Sequence, residues 1–233
     1  MTTINKDYPR GPANLWLERR RGVPADQANF AGDKDTPYRA YDFTVSYPDV
    51  RSLLMAIDLL GDDLISAEVG VYRAESFCTI LQVCQNVKTL YGIDPWRAYH
   101  DQIGDGSMVI EPKDIDLARE MSLHYIEWSG NRHKAEILEM TSAEGAEQFE
   151  DESLDFVFVD SHLSMQDVID HMEDWYPKVK VGGLFCGHDY NDREKVAAGV
   201  DHWRKLHGIK TPISSYDDCW AWIKRQGEDN ATK

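Results

Sequence analysis

Paired cysteines are missing from this chain. Its four cysteines, Cys78, Cys84, Cys186 and Cys219, are scattered and form no Cys-x-x-Cys pair. That argues against a disulfide framework or a zinc site and predicts buried free thiols. Long hydrophobic runs are missing too: no stretch approaches the roughly 18 apolar residues that a membrane span needs. The residues from Met1 to Trp16 carry no apolar signal core, so export is not expected and the cytoplasm fits. Positive charge is scarce, with 25 Lys plus Arg against 41 Asp plus Glu and a formal charge of -16. A surface this acidic repels the phosphates of nucleic acid and of anionic membranes, so neither is expected as a partner. A small-molecule substrate is the expected partner.

What is present suits one large α/β domain. The chain has 233 residues, 42% of them hydrophobic, enough apolar surface for a core. Residues 1–45 are polar and broken by Pro9, Pro12, Pro24 and Pro37. They read as an irregular arm that caps the domain or makes homo-oligomer contacts. The domain is expected over 46–226, with a polar tail over 227–233. Leu53, Leu54, Ile57 and Leu60 share one helix face. Strands are expected at 64–69, 88–93, 135–139, 154–159 and 184–186, with two short ones near 211–214 and 219–223. Helical spacing recurs between them, at Phe77–Cys84, at Ala118–Trp128, after a Ser164/Asp167 capping box, and over 192–206 with Val196, Val200, Trp203 and Leu206 inward. Strands alternating with helices mean a parallel sheet wrapped by helices, whose ligands bind outside the carboxyl ends of the strands.

The residues just past each strand therefore carry the chemistry. Strand one ends in Glu68-Val69-Gly70-Val71-Tyr72-Arg73-Ala74. Gly70 lets a ligand approach the backbone, but the turn lacks the further glycines of a dinucleotide fingerprint. Asp94 after strand two can accept both hydroxyls of a ribose, and Trp96 covers the ligand or packs. Thr141 and Ser142 after strand three contact an adenine ring or cap a helix. Asp160 after strand four, with His188 and Asp189 after strand five, offers a base, a metal site or an acid-rich helix start.

Taken in order, these motifs resemble the class I S-adenosylmethionine-dependent methyltransferases. The carrying segments are Glu68–Gly70, Asp94, Asp155–Asp160 and Gly182–Tyr190, with Asp170, Trp175, Pro177 and Lys178 at the family's spacing. The resemblance implies a Rossmann-like, seven-stranded, mostly parallel sheet with an antiparallel last strand, here Cys219–Ile223, and helices on both faces. It implies S-adenosylmethionine as cofactor. Glu68, Gly70 and Tyr72 would line its methionine portion, Asp94 its ribose, and Thr141 and Ser142 its adenine. Trp96 and Asp160 complete the expected cofactor set. Two positions depart from the family: Ala74 stands where a further Gly is usual, and Leu163 where a histidine is usual, with His162 one place early.

The reaction expected from the resemblance is methyl transfer to a small polar acceptor, an oxygen of a sugar or other hydroxylated metabolite. His188 and Asp160 are the candidate catalytic residues. Two mechanisms stand open. In one, slightly favoured by the departures beside Asp160, His188 accepts the hydroxyl proton directly. In the other, which the resemblance supplies, Asp160, His188 and Asp189 hold a divalent cation. A nicotinamide-dependent oxidoreductase, which shares Asp94, and a non-catalytic binding module on the same fold are the alternatives.

Overall fold

The computed structural model describes residues 50–97, 112–161, 164–191, 193–216 and 218–228. The expected arm (1–45), His162, Leu163, Asp192 and most of the expected tail lie outside the described residues. Helix α1 (Arg51–Asp58) precedes β1 (Leu64–Val69), α2 (Glu75–Val83) and β2 (Val87–Ile93). Then come α3 (Pro112–Trp128), β3 (Ala135–Leu138), the short α4 (Ser142–Ala146) and β4 (Leu154–Val159). Helix α5 (Met165–Trp175), β5 (Val179–Gly187), α6 (Glu194–Leu206), β6 (Ser214–Tyr216) and β7 (Cys219–Ile223) complete the order.

The strands form one sheet in the order β3-β2-β1-β4-β5-β7-β6. Strands β1 to β5 pair in parallel, and β7 runs antiparallel between β5 and β6. This is the expected architecture, with Cys219–Ile223 as the antiparallel strand. The alternation of side chains along β4 explains why its whole apolar run is buried. Phe156 and Phe158 join a core with α1, α2 and α3 on one face, while Val157 and Val159 join one with α5 and α6 on the other. The switch point lies between β1 and β4, where the order turns from descending to ascending, and sheets of this kind bind ligands there, outside the strand carboxyl ends.

Local signals in the sequence account for the element ends. The Ser164 hydroxyl accepts from the Asp167 amide while the Asp167 carboxylate accepts from the Ser164 amide, the capping box that starts α5. Strand β5 begins at Val179, earlier than the Leu184 expected from the Gly182-Gly183 pair. Gly182 interrupts the pleat at a φ of +87° without ending the strand, because its amide donates to the Lys224 carbonyl just past β7. Leu206, expected inward, is 50% exposed in the last turn of α6, whereas Val196, Val200 and Trp203 are buried. All four cysteines are free thiols and buried. Among the described residues, no helix is long and apolar enough to cross a membrane.

Candidate functional site

The carboxyl ends of β1, β2, β4 and β5 bring most of the expected residues to one end of the sheet. Glu68 is completely buried, and the Ser76 hydroxyl from the first turn of α2 donates to its Oε1 at 2.5 Å. Burial pushes its carboxyl pKa well up, partly offset by the Ser76 bond and reinforced by the charges of Asp160 and Asp94. Gly70 follows at a φ of +91°, its amide donating to the Ile93 carbonyl of β2 at 2.8 Å. A Cβ built there would lie 2.3 Å from the carbonyl oxygen of Asp160. Glycine is therefore required twice, by the left-handed backbone and by the approach of the β4 end. Gly70→Ala should destabilise the fold by about 2 kcal/mol or more, since both strain and overlap add. A melting temperature unchanged from wild type would show that the turn relaxes freely.

Asp94 ties the loop after β1 to the end of β2. Its Oδ2 accepts from the amides of Val71 and Tyr72 at 3.0 and 2.8 Å, and its Oδ1 from the amide of Trp96 at 2.8 Å. The Trp96 indole closes the loop from the other side by donating to the Tyr72 carbonyl at 2.9 Å. Burial raises the Asp94 pKa, and the three amide bonds work against that rise. Tyr72, Ala74 and Trp96 all hold positive φ, at 46°, 61° and 39°. A non-glycine residue in that region is strained. Ala74 thus occupies the very conformation that suits the glycine of the family pattern.

Thr141 and Ser142 stand at the end of β3 with their side chains already engaged. Thr141 caps α4 through a reciprocal box with Glu144. Ser142 accepts from the Trp175 indole at 2.9 Å. The cap, one of the two roles open from the sequence, is the one seen; a contact to adenine stands beside it as a proposal.

The Asp160, His188 and Asp189 side chains meet across the ends of β4 and β5. The backbone sets their places: the Asp160 amide donates to Val69 at 2.8 Å and the His188 amide to Val159 at 3.1 Å. His188 Nδ1 lies 3.5 Å from Asp160 Oδ1 and 3.2 Å from Asp189 Oδ1. One ligand atom from each of the three residues falls within 4.8 Å of the others. Burial lowers the His188 pKa, but the bonds and charges of Asp160 and Asp189 outweigh it and raise it to about 10. Two carboxylates and an imidazole are N/O donors of the type that divalent first-row metals and magnesium accept, so the set fits a cation.

Sequence reasoning passed over Ser76 and Arg193, and had Trp175 only as a match to the family's spacing. Arg193 Nε holds Asp189 Oδ2 at 2.7 Å, an i,i+4 pair whose spacing was a usable signal. The Ser76–Glu68 bond had no such signal, because it depends on how the loop between β1 and α2 folds back.

Comparison with solved structures places the architecture. The O-methyltransferase NovP superposes with a TM-score of 0.55 at 18% identity, over 92% of this chain and 100% of that one. TomG from Streptomyces achromogenes, an O-methyltransferase of tomaymycin synthesis solved in complex with SAM, gives 0.55 at 13% identity over 96% and 92%. These likenesses and the sheet order define the class I, Rossmann-like methyltransferase fold. No curated protein matches the sequence significantly. The family model described as a methyltransferase domain matches residues 67–190, more than half of the chain, and the chain belongs to that family. It is an S-adenosylmethionine-dependent methyltransferase; the nicotinamide alternative falls with that assignment.

Proposed function

We propose that this enzyme transfers the methyl group of S-adenosylmethionine to a hydroxyl oxygen of a small polar acceptor such as a sugar, with the chemistry carried by the domain over 46–226. The observation that carries the reading is the convergence of Asp160, His188 and Asp189 beside the Gly70 turn. Glu68, Gly70, Tyr72, Asp94, Trp96, Thr141, Ser142 and Asp160 surround the cofactor in this reading. The acids among them favour the sulfonium and ammonium of its methionine end. An oxygen–carbon bond forms as the carbon–sulfur bond breaks in line with it. The electron pair goes to sulfur, leaving S-adenosylhomocysteine, and the hydroxyl proton passes to water. Holding the two reactants in line supplies much of the rate.

Asp160, His188 and Asp189 would hold a divalent cation. Bound there, a cation polarises an acceptor hydroxyl and lowers its pKa, which removes the need for a strong base. Without a cation, an imidazole titrating near 10 is already protonated at neutral pH, which argues against direct proton acceptance by His188; a cation bound there would have to displace that proton. NovP and TomG are O-methyltransferases, the same reaction class.

Two measurements test the reading. S-adenosylhomocysteine should raise the melting temperature, through binding to the native state alone, and NAD at equal concentration should not. Methyl-labelled cofactor offered with a panel of hydroxylated and amine metabolites should label oxygen. Label on nitrogen would overturn the choice of oxygen. Cofactor binding with no methyl transfer to any acceptor would favour a binding module.

A further inference from the structure

Arg73 stands in the loop that joins β1 to α2, between Tyr72 and Ala74. Its guanidinium carbon lies 5.0 Å from the centroid of the Tyr72 ring, within the range of a cation–π contact. Its Nε is buried and has no hydrogen-bond partner among the described residues. Among the described residues Arg73 makes no ion pair, in a chain whose formal charge is -16. Other arginines are committed: Arg193 to Asp189, and Arg119 to Glu139. A buried guanidinium N–H without an acceptor is costly, and this one stays buried beside the half-exposed Tyr72.

The charge pattern of the crevice says what acceptor is missing. Asp94, Asp160 and Asp189 stand at the strand ends. They suit the two positive groups of S-adenosylmethionine but repel its third charged group, the carboxylate of the methionine end. His188 is committed to Asp160 and Asp189, so a carboxylate entering beside them needs another cation. We infer that Arg73 is that cation: it binds the cofactor's carboxylate, with Tyr72 beneath the guanidinium and the methionine chain laid along the same loop. The inference rests on the cofactor reading above and assigns one further binding residue to it. A planar guanidinium matches a carboxylate in a two-bond fork, which a lysine cannot reproduce.

The experiment is a titration of wild type, Arg73→Gln and Arg73→Lys with two ligands. One is S-adenosylhomocysteine. The other is S-adenosyl-3-thiopropylamine, which is the same molecule without its carboxylate. Wild type should prefer S-adenosylhomocysteine by roughly ten- to hundredfold, the size of a charge-assisted pair. Arg73→Gln should lose that preference by weakening only the carboxylate-bearing ligand, and Arg73→Lys should recover part of it. A wild type that binds both ligands equally overturns the assignment without any variant. So does an equal weakening of both ligands in Arg73→Gln, which marks a structural role, or no weakening of either. Failure of wild type to bind S-adenosylhomocysteine at all would instead overturn the cofactor reading on which this one stands.

Discussion

Asp94→Ala should lower the affinity for S-adenosylhomocysteine by about a hundredfold or more while the protein stays folded. In the proposed complex the Asp94 carboxylate accepts two ribose hydroxyls, and each bond to a charged group contributes about 1.5–3 kcal/mol. Since about 1.4 kcal/mol is tenfold, losing both reaches that range. A second loss adds to the first. Asp94 also accepts from Val71, Tyr72 and Trp96, so it fixes the loop on which Tyr72 and Gly70 are presented. The raised pKa shows that burial makes the charge costly to keep. A carboxylate whose folded pKa lies above its unfolded value favours the fold below that range, and the contribution is lost as pH rises through the folded pKa. At neutral pH the ionised Asp94 therefore works against stability, which suits a group retained for a ligand. Asp94→Asn keeps the shape and one accepting oxygen, and serves where the alanine variant melts early. Unchanged S-adenosylhomocysteine affinity in either folded variant would remove Asp94 from the site.

The parts of this molecule that were legible in the sequence are those set by local pattern. The apolar run Leu154–Val159 announced a strand buried on both faces, and Ser164 with Asp167 announced a helix start. The strand ends could be located because parallel sheets bind ligands there, whatever the side chains do. Element edges were less legible where a glycine misled. The strand expected at 184–186 starts earlier, at Val179, and its backbone passes through Gly182-Gly183 because Lys224, just past β7, holds it. Side-chain partnerships across the site were mostly illegible. That Trp175 would reach Ser142, or Ser76 reach Glu68, depends on how α5 and the β1–α2 loop pack, which no periodicity encodes. The convergence of Asp160, His188 and Asp189 was legible as adjacency of strand ends. Its consequence for His188 was not, because a pKa follows from distances.

That consequence separates the two mechanisms. In the absence of metal, His188 faces Asp160 and Asp189, while buried Glu68 lies near enough to feel its charge and Arg193 is drawn off to Asp189. With its pKa at about 10, the accepting form of the imidazole is scarce at neutral pH and gains tenfold per unit as pH rises toward that value. A His188-base enzyme would therefore show methyl transfer climbing steadily from pH 7 toward 10 and would ignore a chelator. The cation reading expects the reverse. EDTA should bring methyl transfer down to background while leaving S-adenosylhomocysteine binding intact, because the ribose and methionine contacts do not involve the three ligands as a set. Adding back magnesium or manganese should restore activity, and at saturating cation, where competition from the His188 proton is overcome, the profile should be flat across the neutral range. Asp189→Asn and His188→Gln should each raise the concentration of cation needed for half-restoration. Undiminished activity after EDTA, together with the steep climb in pH, would return His188 to the role of base and leave Asp160 and Asp189 as the carboxylates that hold it.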